Sequence, residues 1–154
     1  MSETTRRGFM TIGALGAAAT VGRVGAFAAA EPTAAEKANV KVVNDFCAAW
    51  AGRDLNKIMS FLAADCAYRM TETRDIIKGR DGVTAAIKGI LDRVVRFEVL
   101  ETWARGPMVF NERIDHFNPG PQLPLRSWRG VGVFFMKDGK IAEWQDYTIS
   151  MEKA

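Results

Sequence analysis

The stretch that decides the fold is SWRGVGVFFMKDGKIAEWQDYTISM, residues 127–151, in which two largely apolar runs flank the dipeptide Asp138-Gly139. Asp-Gly between two such runs is a strong signal for a tight β-hairpin, because both residues tolerate the positive φ angles of the turn. The stretch therefore predicts two antiparallel strands, at 127–137 and 140–151.

Three more strands are predicted ahead of this hairpin, at 67–71, 96–104 and 108–117. In the two longer ones the apolar residues recur with a period of two, which is the period of a β-strand. A loop rich in proline and glycine, residues 118–126, separates the last of them from the hairpin. The second half of the chain is thus expected to form an antiparallel meander.

Three amphipathic helices are predicted in the first half, at 33–53, 55–62 and 83–94. In the first, apolar residues fall at three- and four-residue spacings, and Gly52 closes the pattern. Asp54 is a suitable N-cap for the second. Helices followed by a meander indicate an α+β domain, in which the helices cover one face of a curved, mixed or antiparallel sheet and leave a pocket.

Residues 1–30 have the composition of an export signal. Arg6 and Arg7 precede a mildly apolar run at 9–21, and small-residue cleavage patterns follow it. Paired arginines at this place are typical of twin-arginine signals. We expect a cleaved signal peptide, with an uncleaved anchor as the main alternative, and a periplasmic or secreted single domain over 31–154 with no stable membrane anchor.

The charge and the few special residues of the remaining domain narrow its chemistry. Without the predicted signal it carries 18 basic and 17 acidic residues, a balance that does not favour nucleic acid as a partner. Cys47 and Cys66 are predicted to be two separate buried thiols, and His116 is the one histidine. The domain therefore lacks the residues needed for a zinc site or a Ser-His-Asp triad, and we expect no metal or organic cofactor.

Candidate catalytic residues lie on two of the predicted strands. Alternation places Arg113 and Asp115 on one face of strand 108–117, with His116 on the other, and Asp146 lies on the last strand. If both faces point inward, an arginine lies between two carboxylates whose proton affinities differ, which suits one as acid and one as base. The Arg-x-Asp spacing by itself favours a plainer alternative, an exposed ion pair.

Three segments together carry a family resemblance: NERID at 111–115, GVF at 132–134 and GKIAEWQDY at 139–147. They resemble the limonene-1,2-epoxide hydrolase family, which belongs to the NTF2-like and SnoaL-like group of cone-shaped α+β folds. The resemblance covers most of the domain, from the first helix to Tyr147. It implies one-step addition of water to a small lipophilic epoxide, and a homodimer joined through the outer faces of the sheets.

The resemblance also implies a role for each matching residue. Asp115 matches the general acid that protonates the epoxide oxygen, and Asp146 matches the general base that takes a proton from water. Arg113 matches the residue that bridges the two carboxylates. Tyr68 matches the tyrosine that helps to hold the attacking water.

One position departs from the family's pattern. The family has an asparagine two residues after its tyrosine, whereas this chain has Met70, a poor hydrogen-bond partner. The water then lacks an anchor unless Thr71 or Thr148 replaces it. We also expect Trp103 and Phe134, together with Met70, to line the part of the pocket that binds substrate and water.

Two other functions remain open at this point. Relatives of the SnoaL-like type use an aspartate for isomerisation or cyclisation, and Met70 in place of the asparagine favours such a reaction. The other alternative is a non-catalytic exported module that binds an apolar ligand or a partner protein.

Overall fold

The computed structural model describes residues 31–152. The predicted signal peptide at 1–30 lies outside the described residues. Between 31 and 152, none of the helices has the length and apolar character needed to cross a membrane.

The described part of the chain contains helices in its first half and long strands in its second, as predicted. In chain order the elements are α1 (Ala34–Ala49), a 3₁₀ turn (Trp50–Gly52), α2 (Leu55–Met59), β1 (Leu62–Arg69), β2 (Ile77–Lys78), α3 (Arg80–Ile90), β3 (Val94–Arg105), β4 (Met108–Phe117), β5 (Arg126–Lys137) and β6 (Lys140–Glu152). The α+β class is confirmed.

All strands belong to one mixed sheet in the order β2-β1-β6-β5-β4-β3. The meander from β3 to β6 is antiparallel throughout, as its hairpin signal predicted. The sheet is mixed, which is one of the two expected arrangements, because β1 lies parallel to β6. This pairing joins the first strand of the chain to the last, and it places Tyr68 beside Trp144.

Several predicted boundaries differ from the structure. The third helix begins at Arg80 rather than at 83, because Gly79 adopts a φ of 82° that turns the chain directly into the helix. The same helix ends at Ile90, and Val94 already belongs to β3. β1 starts at Leu62, five residues before the predicted strand.

The first helix is tied to the sheet at its N-terminus. Thr33 and Glu36 form a capping box, and the Glu36 carboxylate also accepts the Gly106 N–H at 2.8 Å from the turn between β3 and β4. These backbone donors lower the pKa of Glu36 to about 2. The contact fixes α1 across the sheet.

The core lies between α1 and the inner face of the sheet. Phe46 of α1 meets Trp144 of β6 edge to face, with ring centres 5.0 Å apart, and it meets Phe134 of β5 at 5.9 Å. Cys47 and Cys66 are both buried and unbridged, which confirms the prediction of two separate thiols. This aromatic cluster forms the floor beneath the candidate site.

Candidate active site

A cavity of about 350 Å³ opens between α3 and the inner face of the sheet, within the range of small-molecule sites. Its lining residues come from α3, five strands of the sheet and the adjoining loops: Tyr68, Met70, Thr71, Ile90, Arg93, Val94, Phe97, Arg113, Asp115, Phe117, Trp128, Gly130, Asp146, Tyr147 and Thr148. At one end, which we call the closed end, Tyr68, Arg113 and Asp115 are buried. At the other, the open end, Arg93 and Thr148 are exposed.

Arg113 joins the two predicted carboxylates at the closed end. Its Nε donates to Asp115 Oδ1 at 2.7 Å, and its Nη2 donates to Asp146 Oδ1 at 2.7 Å. The arginine side chain is 1% exposed. The exposed strand pair that spacing alone favours is therefore wrong, and both strand faces point inward.

The path of Arg113 depends on two glycines of the intervening strand. β5 lies between β4 and β6, so the side chain of Arg113 has to cross β5 to reach Asp146. Gly130 lies opposite Arg113 and Gly132 lies opposite Asp146. A Cβ at Gly132 would collide with Arg113 Nη1 and with the Phe134 ring, so only glycine leaves room for the crossing.

Two more contacts hold the guanidinium in place. The Phe97 ring lies beneath it, with 4.6 Å from Cζ to the ring centre, which is a cation–π distance. Nη1 also donates to Asn111 Oδ1 at 3.5 Å, and Asn111 in turn donates to Thr102 Oγ1 at 2.7 Å. Four side chains thus hold the guanidinium, and Arg113 still lines the cavity.

The two carboxylates share this arginine but have different surroundings. Asp146 Oδ1 also accepts the indole N–H of Trp144 at 2.6 Å, whereas Asp115 lies opposite Trp128 on β5. The Trp128 indole is a hydrogen-bond partner of Asp115 and acts to lower its pKa. In Asp146 both donors, Arg113 and Trp144, bind Oδ1, which leaves Oδ2 for a ligand or for water.

Burial raises the pKa of both carboxyl groups, and the charge of Arg113 opposes that rise. The pKa of Asp146 reaches about 6. A carboxyl group in this range is ionised at neutral pH and still accepts protons readily, which is the property of a general base. The arrangement can thus move protons to and from a bound molecule.

Tyr68 and Met70 lie where the sequence places them, on the cavity wall. The Tyr68 ring stacks on Trp144 with ring centres 4.0 Å apart, and burial raises the pKa of its phenol well above the usual range. No protein hydrogen bond to its hydroxyl occurs within 31–152. Met70 lines the cavity with its thioether, and the hydroxyl-bearing Thr71 and Thr148 line it as well.

The prediction for Trp103 is wrong, because this residue lies on the outer face of the sheet. A bulge between Val99 and Glu101 shifts the register of β3, so odd-numbered residues beyond it point away from the cavity. Trp103 is 50% exposed and stacks on Phe110 at 4.3 Å. No local signal in the sequence marks this bulge.

The prediction for Phe134 is also wrong in its detail. Its ring is fully buried between Phe46 and Trp144 and belongs to the floor of the cavity, not to its lining. The apolar walls are supplied instead by residues that sequence reasoning did not single out: Ile90, Val94, Phe97, Phe117 and Trp128. Trp128 shares the strand face of Gly130 and Gly132, a signal that could have found it.

His116 lies on the outer face, as predicted. Its Nε2 is 2.9 Å from Glu98 Oε2, and its Nδ1 is 2.9 Å from Ser127 Oγ. Within the described residues, no group of three or more His, Cys, Asp or Glu side chains is placed to hold a metal ion.

A curved mixed sheet, covered by helices and holding a buried Asp-Arg-Asp cluster in its cavity, defines an NTF2-like α+β protein. The family model described as "SnoaL-like domain" matches residues 43–144, and the chain belongs to this family.

Several solved structures share the fold. An LEH-like epoxide hydrolase of M. tuberculosis aligns with a TM-score of 0.66 and 24% identity, over 75% of this chain and 85% of that one. An NTF2-like protein of unknown function from Burkholderia pseudomallei gives 0.64 and 17% identity, over 73% and 91%. A putative polyketide cyclase from Pseudomonas putida gives 0.58 and 18% identity, over 71% and 90%.

Proposed function

We propose that this protein is a cofactor-independent epoxide hydrolase that adds water to a small lipophilic epoxide. The observation that carries the proposal is Arg113 bonded to both Asp115 and Asp146 at the closed end of an otherwise apolar cavity. Epoxide opening needs a base for the water and an acid for the oxygen that leaves carbon, and this cluster offers one of each. The similarity in fold to an LEH-like epoxide hydrolase agrees with this assignment.

In the proposed reaction Asp146 is the general base. Arg113 and Trp144 both donate to its Oδ1, so Oδ2 is left to accept a proton from water. Tyr68 lies on the strand that pairs with Asp146's own strand and lines the same cavity, so its hydroxyl is a candidate to hold that water. The water oxygen attacks an epoxide carbon while its proton passes to Asp146.

Asp115 is the general acid in the same step. Asp115 is the residue that matches the acid of the limonene-1,2-epoxide hydrolase family, and burial raises the pKa of both carboxyl groups, so the coupled pair can hold the proton that the acid donates. As the epoxide C–O bond breaks, the oxygen takes the proton of Asp115 and the product is a diol. Asp115 is then ionised and Asp146 is protonated, and transfer of one proton between them restores the starting state.

The water has a weaker set of anchors than the resemblance implies. Met70 occupies the place of the second polar anchor, and the hydroxyls of Thr71 and Thr148 are the available substitutes in the cavity. Positioning of the nucleophile contributes strongly to such reactions. We therefore expect Met70→Asn to raise the rate of hydrolysis.

The proposal is tested by incubating the domain 31–154 with terpene and aryl epoxides and measuring diol. Asp115→Asn and Asp146→Asn should each abolish its formation, while Asp45→Asn, at an exposed carboxylate paired with Lys41, should not. A single turnover in ¹⁸O-labelled water should place the label in the diol at once. Unlabelled diol in the first turnover, or activity that survives both substitutions, would reject the mechanism.

A second candidate is an isomerase or cyclase of the SnoaL-like type. Met70 favours it, because a site without a second water anchor is suited to a reaction that consumes no water. Asp146, with a pKa of about 6, could then remove a proton from carbon beside a carbonyl group. Turnover of an enolisable ketone without diol formation from any epoxide would favour this function, and tight ligand binding without turnover would favour a non-catalytic module.

The outer face of the sheet supports a proposal of homodimerisation. Large apolar side chains on that face are exposed: Trp103, Phe135, Tyr147 and Ile149. Exposed apolar area of this kind is typical of interfaces. Light scattering should give twice the chain mass for the wild type, and Phe135→Glu should give the mass of a monomer.

Export is the remaining proposal. Arg6 and Arg7 stand ahead of the apolar run in the pattern of a twin-arginine signal. Changing both to lysine should retain the protein in the cytoplasm of a host with this pathway. Recovery of the variant in the periplasm would reject the route.

A further inference from the structure

Arg93 lies at the open end of the cavity that contains the Asp-Arg-Asp cluster. It belongs to the turn between α3 and β3, and it lines the same cavity as Asp115 and Asp146. Its backbone is fixed on both sides, since its N–H donates to the Ile90 carbonyl at 2.9 Å and its carbonyl accepts the Asn118 N–H at 2.7 Å. The side chain therefore starts from a fixed point at the cavity mouth.

The guanidinium of Arg93 has no carboxylate partner among residues 31–152. Asp115 and Asp146 are the carboxylates in the cavity lining, and both are bonded to Arg113. Asp92 is exposed and does not line the cavity, and Glu72 receives the backbone N–H of Thr148 at 3.3 Å. Within residues 31–152 Arg93 therefore makes no salt bridge, and its charge is available to an anionic group of a ligand.

Much of the remaining cavity lining is apolar. This part is formed by the side chains of Ile90, Val94, Phe97, Phe117 and Trp128. A molecule that matches this lining has a reactive polar group for the Asp-Arg-Asp cluster, a hydrocarbon body for the apolar walls and an anionic group for Arg93. A neutral hydrocarbon epoxide would leave the cation at the mouth without a partner.

We propose that the preferred substrates are lipophilic epoxides that carry a carboxylate, and that Arg93 determines this specificity by binding the carboxylate. The inference rests on the proposed function, which supplies the epoxide end. At roughly 30 Å³ for each non-hydrogen atom, the volume of a water molecule in the liquid, the cavity of about 350 Å³ holds about a dozen such atoms. A ten-carbon chain with a terminal epoxide and a carboxylate has about this size.

The test compares epoxydecanoate with its primary amide, which has the same number of non-hydrogen atoms and no charge. At low salt, kcat/KM for the acid should exceed that for the amide about fivefold, as expected for a partly exposed ion pair. The ratio should fall as salt is added. Arg93→Gln should bring the ratio close to one, and Arg93→Glu should bring it below one.

Lys88→Gln is the matched control, because it removes an exposed positive charge from α3 outside the cavity lining. It should leave the ratio of acid to amide unchanged. An equal ratio in the wild type and Arg93→Gln would overturn the role of Arg93 while the proposed hydrolase stands.

Absence of diol from both compounds would count against the hydrolase and not against the anion site. Calorimetry with octanoate and octanamide then decides the matter. Tighter binding of octanoate to the wild type, lost in Arg93→Gln, would support the anion site for another reaction. Equal binding of the two ligands, or binding of neither, would overturn it.

Discussion

Arg113 and Arg129 make ion pairs of the same length on opposite faces of one sheet. Arg113 reaches Asp115 and Asp146 at 2.7 Å on the inner face, and Arg129 reaches Glu112 at 2.7 Å on the outer face. The first arginine side chain is 1% exposed and the second is 46% exposed. Both are arginine–carboxylate pairs, but one is buried in the protein and the other is exposed to water.

That difference in medium decides what each pair can do. Water around Arg129 screens its charge, so the pair contributes little to stability. Around Arg113 the guanidinium and the two carboxylates are removed from water, so each charge is stabilised mainly by its ion-pair partners. Burial also raises the pKa of both carboxyl groups. Only the inner pair therefore has the proton affinities that acid–base chemistry at neutral pH needs.

The largest effect is expected for Arg113→Gln, which leaves two buried carboxylates without their cation. The free energy of unfolding at neutral pH should fall by about 3–5 kcal/mol, the usual cost of breaking a buried ion pair. Urea denaturation at pH 5 and pH 7 measures it, and the loss should be smaller at pH 5, because the carboxyl groups can take up protons. A loss below about 1 kcal/mol at both values would contradict the burial of the cluster.

Gly132→Ala should break the path of Arg113 across β5. The added methyl group meets Arg113 Nη1 and the Phe134 ring, and such overpacking costs about 1–3 kcal/mol. The measurement is thermal unfolding, with diol formation as a second readout of the displaced arginine. Gly89→Ala is the control, since nothing lies within 4 Å of its added Cβ, and in helix α3 it should stabilise the domain.

The ionisation of Asp146 should lower the free energy of unfolding of the domain as the pH rises. Its pKa is raised from 3.8 to about 6, so the folded state binds the proton more tightly than the unfolded state does. The stabilisation is complete below pH 3.8 and is lost as pH rises through about 6. Between pH 4.5 and pH 7 the loss is roughly 2 kcal/mol.

The slope of stability against pH should be flatter in Asp146→Asn, because the amide does not titrate. Urea denaturation at several pH values gives both slopes. Glu36, whose pKa is lowered to about 2, has the opposite effect and acts below pH 4.5, outside this window. Equal slopes in the two proteins would show that Asp146 titrates normally.

Arg129→Gln gives the smallest effect and completes the comparison with Arg113→Gln. The exposed pair with Glu112 should contribute less than about 0.5 kcal/mol, and the difference should vanish in high salt. Activity should be unchanged. A loss as large as that of Arg113→Gln would mean that the outer face is covered, as it would be if the proposed homodimer buries this pair.

Much of the site could be predicted because its parts are local. Strand alternation put Arg113 and Asp115 on one face, and the hairpin placed the strand of Asp146 beside its partner. The roles of Trp103 and Phe134 could not be predicted in this way. A bulge in β3 turned Trp103 outward, and the Phe134 ring lies buried between Phe46 and Trp144, beneath the cavity.

By itself the sequence determined the α+β class, the long strands, the Asp-Gly hairpin and the shared face of Arg113 and Asp115. Local periodicity and turn chemistry are enough for these features. Only the tertiary structure decided that β1 lies parallel to β6, that Arg113 crosses β5 to Asp146, and that Arg93 stands at the mouth of the same cavity. These contacts join residues far apart in the chain, and their geometry depends on register, bulges and packing that no local pattern contains.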